Sequence, residues 1–132
     1  MVGLFGPALL TKAGEKPTYD LLAGKEHILV YFSAHWCPPC RSYTPTLSAA
    51  YYQSPKAGTD TAIIFVSSDH SEVEFVEYYR SMTFYALPFR EYAAKKQLSD
   101  AYSVSGIPAL VVLDGAGRFI EQNVVGRHGE FL

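Results

Sequence analysis

Both cysteines of the chain, Cys37 and Cys40, fall in one short stretch, "FSAHWCPPCRSYTP", residues 32–45. The same stretch holds the single tryptophan, Trp36, and Pro38, Pro39 and Pro45. A Cys-x-x-Cys that follows a buried strand and opens a helix has the spacing of reversible disulfide chemistry. At such a position Cys37 stands at the N-cap, where the positive end of the helix dipole favours its thiolate. The thiolate is the attacking species in disulfide exchange. Cys37 is therefore expected to be the nucleophile, with a lowered pKa, and Cys40 the group that resolves the mixed disulfide. Two other roles remain open for the pair. Zinc usually takes four ligands, yet there is no second Cys-x-x-Cys, and the spacing of His35 and His70 argues for none. A passive disulfide in a non-catalytic binding module is the other.

The two prolines between the cysteines suit the start of a helix. Pro38 would take the first helical position, where a missing N–H costs nothing. Pro39 removes a donor that could have reached the Cys37 sulfur, which leaves the Cys40 N–H as the expected donor. Both rings stiffen the segment that brings the thiols together. Pro45 falls inside the same helix and is expected to kink it. His35, two residues before Cys37, could stabilise a thiolate when protonated or simply face solvent. Arg41 could favour the thiolate or serve as a surface contact for a partner.

These side chains need a sheet to hold them. "HILVYFSA" is a continuous apolar run of the kind found in a strand buried on both faces, and "TAIIFVSS" (61–68) is a second. Between them, Tyr43, Leu47 and Ala50 fall on one helical face. After Asp69, Ser71 is a plausible N-cap for a helix whose apolar positions are Val73, Val76 and Tyr79. Ala94, Leu98, Ala101 and Tyr102 form another stripe. "ALVVLDGAGRFIEQNVV" reads as a hairpin. "GEKP" and "SPKAGTD" read as surface turns. Only "GRHGEFL" follows the last strand, too little for a full covering helix, so the chain is truncated there or another surface covers that face of the sheet.

A chain of 132 residues suits one domain, here 1–132. A formal charge of −2 without a run of one sign argues against a nucleic-acid groove or a polybasic membrane anchor. No apolar run is long enough to span a bilayer, and the first ten residues lack the basic start of a secretory signal. Two closely spaced cysteines point to a reducing compartment, with the cytoplasm expected.

The motif Trp36-Cys37-Pro38-Pro39-Cys40-Arg41, with "VYFSAHWCPPCRSYTP", "IIFVSSD", "ALPF", "GIPAL" and "VVLDGAGR", resembles the tryparedoxin and nucleoredoxin branch of the thioredoxin superfamily. The resemblance covers residues 27–120. It implies an α/β thioredoxin-like fold, a central mixed sheet flanked by helices, with a shortened C-terminal helix. It implies a cis bond between Ile107 and Pro108 lying against the cysteines, Ile107 pairing its backbone with substrate, and Trp36 forming an exposed wall beside Cys37. Trp36, Pro38, Pro39, Arg41, Ile107 and Pro108 are then the substrate-binding residues. The implied function is a dithiol–disulfide oxidoreductase without metal or organic cofactor. It would pass electrons from a small dithiol such as trypanothione to peroxidases or other disulfide-containing proteins. A nucleoredoxin-like regulator of a signalling partner is the alternative.

The resemblance also accounts for Tyr31, which stands where ordinary thioredoxins carry a buried aspartate and where the branch is similar to this chain; it reads as a packed aromatic with a hydrogen-bonded hydroxyl. Proton handling at Cys40 must then use water or another group. Asp69 reads chiefly as a turn or cap residue. In "MTFYALPF", Phe84 or Tyr85 must replace a tryptophan wall. Ala109 replaces a frequent threonine, and His35 a frequent serine.

Overall fold

The computed structural model describes residues 2–132. Three strands form its centre: β3 (His27–Ser33), β4 (Thr61–Ser67) and β6 (Ala109–Asp114). Their runs of branched and aromatic residues are buried on both faces, as expected of strands with helices on either side. β3 pairs in parallel with β4 and antiparallel with β6. The sheet has seven strands in the order β2-β1-β5-β4-β3-β6-β7, adding β1 (Ala8–Thr11), β2 (Gly14–Pro17), β5 (Tyr85–Ala86) and β7 (Phe119–Glu121). It is a mixed sheet, parallel between β3, β4 and β5 and antiparallel elsewhere, with helices on both faces.

Alternation along each strand sorts side chains to two faces. Ile28, Val30, Phe32, Ile64, Val66, Val111 and Leu113 pack with Phe5 of α1 (Val2–Phe5), Leu22 of α2 (Thr18–Leu22), and Leu98 of α5 (Tyr92–Ala101). Leu29, Tyr31, Ile63, Phe65, Leu110 and Val112 pack with Leu47 and Tyr51 of α3 (Pro38–Gln53), and with Phe75, Tyr78 and Tyr79 of α4 (Glu72–Tyr79).

Several expectations need correction. "GEKP" is not a turn but strand β2, paired with β1 in an antiparallel hairpin. All four of its residues are exposed, so no apolar alternation betrayed it. In α4 the buried stripe is Phe75, Tyr78 and Tyr79, whereas Val73 and Val76 face outward. Three aromatics bury more area than two valines, and the helix turns accordingly. Ser71 does cap α4, accepting from the Glu74 N–H at 3.2 Å. In α3 the buried residues are Cys40, Thr44, Leu47, Ser48 and Tyr51, with Tyr43 and Ala50 half-buried. Ala101 is exposed although Leu98 and Tyr102 are buried.

The last described element is one 3-10 turn, His128–Glu130. Val124 is fully buried in the aromatic core, and Phe131 and Leu132 pack against it. Ser54 Oγ donates to the Leu132 carbonyl at 2.7 Å, and Thr61 Oγ1 to the Phe131 carbonyl at 3.0 Å.

Candidate active site

The C-terminal end of β3 feeds a short loop, Ala34–Trp36, and then α3. Cys37 is the N-cap of α3, with Pro38 and Pro39 at the first two helical positions. Neither proline needs an N–H there, so the motif starts a helix without leaving an orphaned donor. The Arg41 N–H donates to the Cys37 carbonyl at 3.0 Å as the first bond of the helix. The Cys37 and Cys40 sulfurs face each other in direct contact across the first turn of α3. The expected N–H donation from Cys40 to the Cys37 sulfur is not formed, since Cys37 makes no side-chain capping bond. Cys37 retains 5% of its surface while Cys40 has none. An incoming disulfide can therefore reach Cys37 first.

The rim is assembled from separate parts of the chain. Phe32 of β3 pairs with Ala109 of β6, so the segment before Ala109 lies beside the loop that carries Cys37. The Ile107–Pro108 bond is cis. The Cys37 thiol points at the Ile107 carbonyl, 3.8 Å away, and Ile107 packs on the small cluster of Ala34, Cys37 and Cys40. Trp36 is 46% exposed, an unusual position for so large an apolar ring. Its indole N–H donates to the Ser68 carbonyl at 2.9 Å, and the ring lies parallel to that of His70 at 5.4 Å. Trp36, Phe32, Ser68, Val104 and Ile107 line a cleft of about 320 Å³. Pro38 and Pro39 are exposed at the mouth, and Pro108 is half-buried. Arg41 is turned back on the loop, its guanidinium donating to the His35 carbonyl at 2.7 Å.

Asp69 does not cap α4. Its carboxylate accepts the His35 N–H at 2.7 Å and the Ser67 hydroxyl at 2.6 Å. The end of β4 is thereby bonded to the loop before Cys37. The His35 ring lies flat on Tyr78 at 5.0 Å. Phe84 is not a wall of the cleft; it is buried in the aromatic core edge-on to Tyr31 and Tyr51. Tyr85 is half-buried against the aliphatic core on the other face. The parallel rings of Trp36 and His70 stand at the rim instead.

One turn beyond Cys40 in α3, Thr44 belongs to a buried set of hydroxyls that sequence reasoning did not assemble. Tyr31 Oη bonds Thr44 Oγ1 at 2.6 Å, Thr44 Oγ1 bonds Tyr78 Oη at 2.5 Å, and Tyr78 Oη bonds Ser33 Oγ at 2.7 Å. Tyr31 was legible as a packed, hydrogen-bonded aromatic. Ser33 and Thr44 had a signal as well: Ser33 is two residues on from Tyr31 in the strand, and Thr44 four residues on from Cys40 in the helix. Burial pushes the Cys40 thiol up to about 11 and its bond to Cys37 adds to the rise, while the Ser33 hydroxyl opposes it. Burial also pushes Tyr31 and Tyr78 upward, so neither is a base near neutral pH.

The thioredoxin-like family model matches residues 24–119. Mouse nucleoredoxin is 44% identical over 115 residues, covering 87% of this chain and 26% of that protein. The tryparedoxin of Trypanosoma brucei brucei is 37% identical over 106 residues, covering 80% of this chain and 72% of that one. A tryparedoxin II solved in complex with glutathionylspermidine superposes with a TM-score of 0.84 at 30% identity, covering 94% of this chain and 85% of that one. The chain thus spans about a quarter of the length of the nucleoredoxin it matches.

Proposed function

From its membership of the thioredoxin superfamily, in the tryparedoxin and nucleoredoxin branch, we propose that the chain is a thiol–disulfide oxidoreductase working through Cys37 and Cys40. The observation that carries this is the placing of the pair: Cys37 is the N-cap of α3 and keeps 5% of its surface, and Cys40 is fully buried one turn behind it. The Cys37 thiolate attacks a substrate disulfide, and one substrate sulfur leaves and takes a proton. The Cys40 thiolate then attacks Cys37, the mixed disulfide breaks, and the second substrate sulfur leaves. The two electrons come from the sulfur pair itself, so the reaction needs no metal or organic cofactor. The backbone at Ile107 and Pro108 pairs with the substrate chain, while Trp36, Pro38 and Pro39 shape the approach. Arg41 acts by holding the His35 carbonyl and so the loop.

The oxidised protein must be reduced again. A low-molecular-weight dithiol of the trypanothione type is the reductant we assign, and peroxidases with reducible disulfides are the leading substrates. The complex of a related tryparedoxin with glutathionylspermidine supports a small polyamine thiol at such a site. The 44% identity to nucleoredoxin favours a second reading, a regulator that switches a signalling partner through the same dithiol. Two cysteines spaced for exchange and no others fit a reducing compartment, which we take to be the cytoplasm. No helix among the described residues is long and apolar enough to cross a membrane.

Disulfide turnover measured with trypanothione, with glutathione and with a thioredoxin reductase system tests the assignment. Turnover sustained by trypanothione into a peroxidase supports the first reading. Turnover sustained only by thioredoxin reductase supports the second. No turnover with any reductant, in folded and fully reduced protein, contradicts both.

A further inference from the structure

Trp36 stands at the mouth of the site with 46% of its surface exposed. A substrate that packs on so exposed a ring must first bring it to rest, which weakens binding. Two contacts already hold the ring. Its indole N–H donates to the Ser68 carbonyl at 2.9 Å. One hydrogen bond fixes one atom and leaves the ring free to pivot about it. The second contact fixes the plane: the His70 ring lies 5.4 Å away and 9° from parallel, an offset stack of the kind aromatic rings favour. His70 is itself carried on a fixed backbone. Its N–H donates to the Glu74 carboxylate at 3.0 Å, while Ser71 Oγ accepts the Glu74 N–H. Asp69, the residue before it, is buried and bonded to the His35 N–H. The exposed imidazole takes no part in these bonds, so its place over the indole is left as its one evident role. The lining of the cleft includes Trp36 and not His70, so His70 can act on the cleft only through the indole.

We propose that His70 is a positioning residue that sets Trp36 as a wall of the cleft before substrate arrives, and thereby favours disulfides carried on a peptide chain over small ones. The inference rests on the exchange reading above. A peptide that runs along the backbone at Ile107 places a side chain in the cleft of about 320 Å³, against an indole already at rest. A small disulfide reaches Cys37 without filling the cleft and gains nothing from the wall. The chemistry at sulfur is unchanged: Cys37 attacks, one substrate sulfur leaves, and Cys40 resolves from behind. His70 acts on the first step alone, because the resolving attack runs between two sulfurs of α3 already in contact.

Two measurements test it. The first step is isolated in protein carrying Cys40→Ser, which retains the mixed disulfide at Cys37. Adding His70→Ala is expected to slow adduct formation with insulin about three- to tenfold, and with hydroxyethyl disulfide less than about twofold. His70→Phe keeps a ring on the indole without a titratable nitrogen, and is expected to recover the insulin rate. An unchanged insulin rate, equal slowing with both substrates, or a phenylalanine variant no faster than the alanine one would overturn the inference. The second measurement needs no turnover. Trp36 is the single tryptophan, so the fluorescence anisotropy of the folded protein reports its motion. His70→Ala is expected to lower the anisotropy and His70→Phe to return it; a value that His70→Ala leaves in place overturns the inference. If the Cys40→Ser protein with His70 intact forms no adduct with either substrate, the exchange reading fails, and the anisotropy then decides whether His70 fixes the ring.

Discussion

On one face of the sheet, Ile28, Val30 and Phe32 of β3 meet Ile64, Val66 and Val111 under α1, α2 and α5. On the other, Leu29, Tyr31 and Ser33 of the same strand meet Ile63, Phe65 and Leu110 under α3 and α4. The strands are shared and the burial is equal, but the chemistry differs. The first face is mostly aliphatic and gives packing energy. The second contains aromatic rings whose hydroxyls need partners when buried, and Tyr31 and Tyr78 both find one in Thr44, one turn beyond Cys40 in α3. The polar groups of the second face gather at the C-terminal ends of β3 and β4, where Ser33 and Ser67 stand. That is the end of an α/β sheet at which ligands are commonly met. A buried core can thus serve as a support on one side and as part of a reactive site on the other.

The sharpest way to break this contrast is to damage each face and read stability and chemistry separately. Ile64→Ala, on the aliphatic face, is expected to lose ~2–5 kcal/mol in urea unfolding while the folded fraction keeps its exchange rate. A loss of rate per folded molecule would show that the aliphatic face also tunes the site. Asp69→Ala strips the acceptor from the His35 N–H and the Ser67 hydroxyl, both near the dithiol. It should cost ~1–3 kcal/mol and slow the first attack by Cys37, because the loop that presents it loses its tie to β4. An unchanged rate in the first step would leave that tie a matter of stability alone.

Alkaline pH also bears on the contrast, because the dithiol and most of the buried tyrosines lie on the second face, although Tyr102 and Tyr85 lie on the first. Burial pushes the Cys40 thiol from its ordinary 9.0 up to about 11 in the folded reduced protein. The unfolded thiol therefore ionises first. The stability linked to the neutral thiol is present in full below about 9 and is lost as pH rises through about 11. Unfolding of reduced protein should steepen over that window, and Cys40→Ala should flatten part of it. The buried tyrosines supply the remainder, with Tyr51 pushed up to about 12. Ser71→Ala is the smallest expected effect. It removes the N-cap of α4, costs ~1 kcal/mol, and should leave both exchange steps alone.

Much of the site could be seen in the chain itself. The dithiol, its place at a helix start and the central strands follow from residue types at fixed spacings. The cis peptide before Pro108 followed only from family resemblance, since nothing local in "SGIPAL" demands it. The first hairpin was hidden because β2 is exposed throughout and has no alternation to read. The buried side of α4 was misjudged because valines and tyrosines compete at helical spacing, and only the neighbouring Phe65 selects the aromatic side. The bond from Asp69 to His35 joins residues 34 apart, and the hydroxyl chain joins β3, α3 and α4. Such contacts depend on how elements stack, which no short window of sequence specifies. Val124, Phe131 and Leu132 join the aromatic core through side chains that no helical or strand period marks out.

The most direct test of the account is to trap the exchange intermediate. Prereduced wild type, Cys37→Ser and Cys40→Ser are mixed with a disulfide-bonded protein, quenched with acid and resolved by mass. The account predicts that wild type releases reduced substrate and ends with a Cys37–Cys40 disulfide, that Cys37→Ser forms no adduct, and that Cys40→Ser accumulates a mixed disulfide at Cys37. Adduct formation through Cys40 in the Cys37→Ser protein, or an inert but folded and fully reduced wild type, would contradict it.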